Sequence, residues 1–479
     1  MNQVLIKYKY WFLVLFFVLA TLTRFAFLKT TATFFWDQAY DLRQIQLFYT
    51  EKRVTLIGPI SEEGDKVFSS LTYYMLLPFA VHADFSTVST TFGAAFWGLI
   101  TAILLVVLLF LVNKHSLISA LLIVAIWFPL VETSRWAWNP HLVLFWIALG
   151  LIIFQRKGKL PRFLTGLFFG LSIHHHYLSF FATATFILIN LFIDCKKKNL
   201  KKSMWMIIGY LAAISPFVIF DIMRPPGLFI SRFLIFQQEH VDTNILMYFL
   251  NFLKNLYLVI NHYTNSLILN ILLGIYLAVL IVSDFKKERS HLQYIAVWLL
   301  QIAGVTLIVN PSTRYFLPSI IFFLVYLYLP RNIPRFNSVI VSTVLILTGS
   351  IFSIVPQITT QNYVPEEWRP GITTVDQITE IVFEEITENN LTEVNLAVLG
   401  SPDPNRYGWK YRNLLEIKGV TILSKFEYFT NNYLFVVSQQ TEDSLRNDPS
   451  PEMHRFREQK LVRSWPVENS DWFVYLFSF

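Results

Sequence analysis

Apolar runs long enough to cross a bilayer recur through the first three-quarters of this chain, and few features restrict a fold more. A helix rises about 1.5 Å per residue, so about 20 apolar residues span the hydrocarbon core. The run Thr87–Val112 carries no charged residue. Others begin at about Tyr10, Leu117, His141, Phe163, Phe180, Met204, Ser266, Leu292, Tyr315 and Val339. That makes about eleven spans. Charged residues make up 15% of the chain and hydrophobic ones 54%, with a mean hydropathy of +0.48. A soluble domain carries about 25% charged residues. A soluble globular protein is therefore excluded, and a polytopic α-helical membrane protein is expected.

The short loops give the orientation. Asn113-Lys114-His115, Gln155–Lys159, Lys196-Lys197-Lys198 with Lys201 and Lys202, Lys286–Arg289, and Arg331 with Arg335 alternate with loops of mixed chemistry. Basic short loops mark the cytoplasmic side. Lys7 and Lys9 before the first run place the N-terminus there too. The localisation expected is the plasma membrane, multi-pass, with the C-terminal part outside. The first run lacks a small-residue cleavage site and reads as a retained helix. Asn244–Ile260 is apolar, but a span there would invert every later loop, so it reads as interfacial or re-entrant. The single Cys195 adjoins the lysine cluster and excludes an internal disulfide.

Net charge is about +14 up to residue 356 and about −7 beyond it, which marks two compartments or two domains. The expected division is a transmembrane domain over 1–356, with a first outer loop at 29–85, and a small extracytoplasmic α/β domain over 357–479. In the latter, Thr373–Glu388 and Tyr411–Ile417 read as helices. Val394–Leu399, Val420–Leu423, Tyr433–Val437 and Trp472–Phe477 read as strands.

Chemical variety collects on the outer side. The first outer loop opens with Phe34-Phe35-Trp36-Asp37-Gln38-Ala39-Tyr40-Asp41-Leu42-Arg43 and later holds Lys66. Asp37 and Asp41 are four residues apart and share a helix face. Later outer loops hold Glu132, Arg135, Asn139 and His141, then His174-His175-His176-Tyr177. After these come Asp221, Arg224, Arg232, Glu239 and His240, and finally Asn310, Ser312 and Arg314. A carboxylate serves as general base towards a hydroxyl, and arginine binds phosphate through paired hydrogen bonds. Together they suit a phosphorylated lipid donor and a hydroxyl acceptor. Plainer roles stand beside these. Asp37 caps a helix start, Asp41 pairs with Arg43 or Arg24, and Arg135 and Arg314 snorkel at span ends. Consecutive histidines diverge around a helix, so hydrogen bonding is expected of them rather than a metal site, and no cofactor is implied.

These motifs, in this order and on one side, resemble the GT-C superfamily of membrane glycosyltransferases. More closely they resemble the bacterial branch of glycosyltransferase family 39, grouped with protein O-mannosyltransferases and lipid A aminoarabinose transferases. The likeness rests on Trp36–Asp41, Leu56-Ile57-Gly58-Pro59, Leu71–Pro78, Ser134–Pro140, His176-Tyr177 and Arg314–Pro318. It implies a polyprenyl-phosphate sugar donor, an inverting transfer to a hydroxyl acceptor, and Asp37 as catalytic base. It also implies Arg135 and Arg314 at the donor phosphate, and His176 and Tyr177 lining the donor or sugar pocket. Asn139 and Tyr315 lie in the same motifs and join the expected substrate-binding set. The chain departs from many members at Gln38, where a second acid is common, which leaves Asp41 as the substitute.

Two rival classes share this topology. A secondary transporter or lipid-linked glycan flippase places charge mid-span and shows internal repeats, neither of which is seen here. A glycan polymerase would carry its principal outer loop late in the chain, whereas here it comes early.

Overall fold

The computed structural model describes residues 2–60, 67–232, 245–287, 291–307, 313–331, 338–359, 370–400, 407–424, 426–428 and 430–479. Lys66, Glu239, His240, Glu288, Arg289, Asn310, Ser312 and Arg335, all weighed above, lie outside the described residues.

Each apolar run expected to span is helical. Among the described residues, four helices are long and apolar enough to cross a membrane: Thr87–Val112, Ser179–Lys196, Lys201–Met223 and Leu267–Lys286. A fifth candidate is the pair Lys114–Ile126 and Phe128–Arg135, bent by 53°. The bend has a local cause, because Pro129 lacks an amide hydrogen and Trp127 is extended between the two halves. Shorter apolar helices cover Tyr10–Phe25, Asn139–Phe154, Leu292–Val305, Arg314–Tyr328 and Val339–Val355. The chain is a multi-pass helical membrane protein. Ile245–Thr264, expected at the interface, is also a helix.

The chain divides into two compact units. One comprises Met1–Ala26, Leu56–Thr72 and Ala94–Ile358; the other comprises Phe27–Thr55, Tyr73–Gly93 and Thr359–Phe479. Two pieces of the first long loop therefore group with the C-terminal residues. Sequence pattern gave no sign of this.

In the first unit, all nine residues of the helix Ile320–Tyr328 are buried, as expected of a helix apolar on every side. Lys201–Met223 instead exposes Leu211, Ile219 and Ile222, as a lipid-facing helix must. It meets Lys159–His175 through small residues four apart. A Cβ on Gly166 would strike the Met206 carbonyl, and one on Gly209 would strike the Phe163 carbonyl. Gly170 packs against Ala213 and the Tyr210 backbone in the same way. Backbones this close are the small-residue mode of packing in membranes, where dispersion replaces the hydrophobic drive. The strands Ile57–Ile60 (β1) and Val67–Ser69 (β2) pair antiparallel in this unit.

The second unit holds a four-stranded sheet. Its strands are Val394–Leu399 (β3), Tyr433–Ser438 (β4), Lys460–Pro466 (β5) and Phe473–Ser478 (β6), in the order β3-β4-β6-β5. β3 and β4 are parallel, joined through the helix Trp409–Ile417, while β6 is antiparallel to both β4 and β5. Two expectations need correction. Val420–Leu423 is not a strand; Leu423 only donates its amide to the Val394 carbonyl at 2.9 Å. β5 was not anticipated, because it is an exposed edge strand with little apolar alternation. The helix Trp36–Thr50 docks on this domain. Arg43 pairs with Glu416, and Gln46 Nε2 donates to the Ile417 carbonyl at 3.1 Å.

Candidate active site

The two carboxylates lie in the second unit. Phe35 is extended, and the helix starts at Trp36. Gln38 sits in the first turn, where its side-chain oxygen accepts the Phe35 amide at 3.0 Å. This is the return half of a capping box, so Gln38 has a structural task at the position where a second acid was sought. Asp37 is half-buried, and its Oδ1 accepts the Gln38 amide at 2.8 Å. Capping and surface access thus coexist at Asp37.

One turn on, Asp41 is buried at 7% exposure and accepts a hydrogen bond from the Tyr73 hydroxyl at 2.8 Å. Burial, aided by the Asp37 charge, holds its carboxyl well above the usual carboxylate range, against the opposing pull of the Tyr73 bond. The ion pair considered for Asp41 is corrected here. Arg43 is engaged with Glu416, and Arg24 lies in the other unit, bonded to the carbonyls of Ala20, Val124 and Ala125. Tyr73 lies inside the Leu71–Pro78 motif, but its residue type alone gave it no role.

The remaining candidates lie in the first unit. Arg135 Nη1 donates to the carbonyls of Thr23 at 3.0 Å and Arg24 at 3.3 Å, and its Nη2 to Ala26 at 2.9 Å. It closes the carbonyl end of the first helix, as Arg24 does for Leu117–Ile126. This exchange of arginines holds two helix ends together. The phosphate role expected of Arg135 gains nothing from that geometry.

Arg314 is placed differently. Its guanidinium carbon lies 3.9 Å from the Trp136 ring centre and 5.5 Å from that of Trp138. The two indoles stack at 5.2 Å and 13°, and His141 meets both edge-on, with its Nδ1 2.9 Å from the Trp136 carbonyl. Aromatic contacts continue from there. Tyr315 is 6.2 Å from Trp138 and stacks on His176 at 5.1 Å. His176 stacks on Phe68 at 5.4 Å, and Phe68 lies 5.1 Å from Tyr177. Tyr177 is fixed by its hydroxyl, which donates to the Val67 carbonyl at 2.5 Å. Arg314, Tyr315, His176 and Tyr177 thus belong to one aromatic wall with a cation at one end. The supporting residues Phe68 and Gln301 were missed; Gln301 Nε2 donates to the carbonyls of Leu178 and Tyr315, both at 3.1 Å.

Asn139 Nδ2 donates to the His175 carbonyl at 2.5 Å. The three histidines diverge. His174 Nε2 lies 2.7 Å from the Ala213 carbonyl, and His175 bridges Thr72 and Trp146. Among the described residues, no group of three or more His, Cys, Asp or Glu is placed to hold a metal ion. Asp221, an outer-loop candidate, accepts the amides of Leu228, Phe229 and Ser231 and organises the turn after its helix.

No family model matches the sequence, and no curated protein was found similar to it. Solved structures do match. The crystal structure of ArnT from Cupriavidus metallidurans bound to undecaprenyl phosphate aligns with a TM-score of 0.60 at 9% identity, covering 98% of each chain. An oligosaccharyltransferase of Archaeoglobus fulgidus, in complex with zinc and sulfate, aligns with a TM-score of 0.55 at 14% identity. That match covers 89% of this chain and 67% of the other. The chain has a GT-C fold.

Proposed function

We propose that this chain is an inverting membrane glycosyltransferase that moves a sugar from a polyprenyl-phosphate donor to a hydroxyl acceptor. The observation that carries the reading is the end-to-end fold match to ArnT, whose structure holds undecaprenyl phosphate. Asp37, half-buried at the start of its helix, is the base. Its carboxylate takes the acceptor's hydroxyl proton as that oxygen attacks the anomeric carbon. The bond from that carbon to the phosphate oxygen breaks, and polyprenyl phosphate leaves with the electron pair. A single displacement inverts the anomeric centre. Arg314, presented on its indole platform, holds the donor phosphate, and a fixed cation there stabilises the charge that builds on the leaving group. Tyr315, half-buried, offers a flat face to the sugar or the first isoprene units, and His176 and Tyr177, buried behind it, hold it in place.

Purified protein incubated with a panel of polyprenyl-phosphate sugars, followed by mass spectrometry of lipid and protein fractions, tests this directly. Wild type is expected to release polyprenyl phosphate and a glycosylated product. Asp37→Asn is expected to remain folded and to lose at least about 100-fold in rate, the usual contribution of a general base. Full activity in Asp37→Asn would remove the central claim.

A further inference from the structure

The second unit contains a cleft of about 200 Å³ outside the residues assigned above. Three pieces of chain build it. Pro370–Thr374 opens the helix Ile372–Glu388, Gln439 follows β4, and Asn469–Trp472 is the turn between β5 and β6. Thr30 closes one side. The turn is tight, with the Val467 amide bonded to the Trp472 carbonyl at 2.9 Å and Asn469 at a φ of 56°.

The lining is polar but not cationic. Thr30 and Thr373 spend their hydroxyl protons on the Phe27 and Lys29 carbonyls, at 3.2 and 2.8 Å, and so present acceptor lone pairs. Asp471 adds a carboxylate, while Gln439 and Asn469 add amides that both donate and accept. Trp472, buried, backs the cleft with its indole. No lysine or arginine lines the cleft among the described residues, so a phosphate or carboxylate ligand has no counter-charge there. Nor is there the apolar pocket a lipid would need. Closely spaced acceptors and amides beside an aromatic suit a ligand dense in hydroxyl groups.

The cleft is tied to the chain that leads into Asp37. Gly371 pairs with Thr33 in a β-bridge, and the Ile372 amide reaches the Ala32 carbonyl at 3.5 Å. Asp37 follows four residues after Thr33, in the same unit. We infer that this cleft binds a neutral saccharide and serves as the acceptor subsite. This rests on the glycosyltransferase reading.

The test uses the full-length protein in nanodiscs. Saturation-transfer NMR is recorded with mannotriose, maltotriose and chitotriose, and in parallel with glucose 6-phosphate and a serine-containing peptide. At least one neutral trisaccharide is expected to show transfer in wild type. That signal should be lost in Asp471→Ala and in Thr374→Trp, which fills the cleft. In the transfer assay with the bound trisaccharide as acceptor, both variants should raise the acceptor KM at least tenfold with kcat within twofold. Saccharide binding indifferent to both substitutions, or preference for the phosphosugar or peptide, would overturn the inference. If wild type transfers no sugar while variant-sensitive saccharide binding persists, the enzymatic reading and the acceptor role both fail, and the cleft stands as a saccharide-binding site alone.

Discussion

Asp41 shows how much the surroundings of a carboxyl decide what it does. Asp37 and Asp41 are the same residue type one helical turn apart, yet one is half-buried and the other almost fully buried. Burial, with the neighbouring Asp37 charge, favours the protonated form of Asp41. An acid whose folded-state pKa is raised keeps its full stabilising contribution below its unfolded-state value and loses it as pH rises through the folded one. Asp41→Asn imitates the neutral acid at every pH. Its melting temperature in detergent, scanned from pH 4 to pH 8, should therefore fall less towards alkaline pH than that of wild type. Transfer should survive, in contrast to Asp37→Asn. If Asp41→Asn were as inactive as Asp37→Asn, the ionised form of Asp41 would be the working one. Gln38 carries a second lesson: its side chain is occupied in holding the helix start, a role no residue count reveals.

The elements most legible in the sequence were the membrane helices, because a bilayer requires long apolar runs and leaves the backbone no other way to pair. What stayed hidden depended on a neighbour. The glycines of Lys159–His175 and Lys201–Met223 look ordinary in the sequence, yet each lies against carbonyl backbone of the other helix. Edge strand β5 is mostly exposed and shows no clear period, while Val420–Leu423 has a strand's composition but only one backbone bond to a strand, from Leu423 to Val394. The glycine contacts yield a comparison inside one molecule. Gly166→Ala places a methyl group where the Met206 carbonyl already sits, so the two helices must separate. Gly274, in Leu267–Lys286, has nothing within 4 Å of a built Cβ. Gly166→Ala should cost about 1–3 kcal/mol, the usual range for overpacking. Gly274→Ala should be neutral or slightly stabilising, since alanine is the better helix former. Thermal unfolding of both variants in one detergent decides it, and equal melting temperatures would mean that the close approach bears no weight.

At the scale of the molecule, the chain is assembled out of sequence order. Residues 27–55 and 73–93 fold with the C-terminal domain, so the helix bearing Asp37 is held by residues about 370 positions later, through Arg43 with Glu416 and Gln46 with Ile417. A sequence pattern reports local periodicity, and no local signal could have announced pairings at that distance. Charge, by contrast, is a pattern that the sequence displays over its whole length. Basic loops lie on one proposed side, and a net acidic domain lies beyond the last span. That arrangement yields a prediction about the whole chain, that the C-terminal domain faces outward with the N-terminus and the lysine clusters inside. Cys195 is a native reporter for it. It is the single cysteine of the sequence, its side chain is exposed, and it directly precedes Lys196. A membrane-impermeant maleimide should leave Cys195 unlabelled in intact cells and label it once the membrane is opened. In a Cys195→Ser background, Ser444→Cys, exposed in the C-terminal domain, should label without permeabilisation. The reverse pattern would invert the topology and place Asp37 on the cytoplasmic face. Labelling of both sites from outside would mean an even number of crossings between them, and the count of spans after Lys196 would need revision.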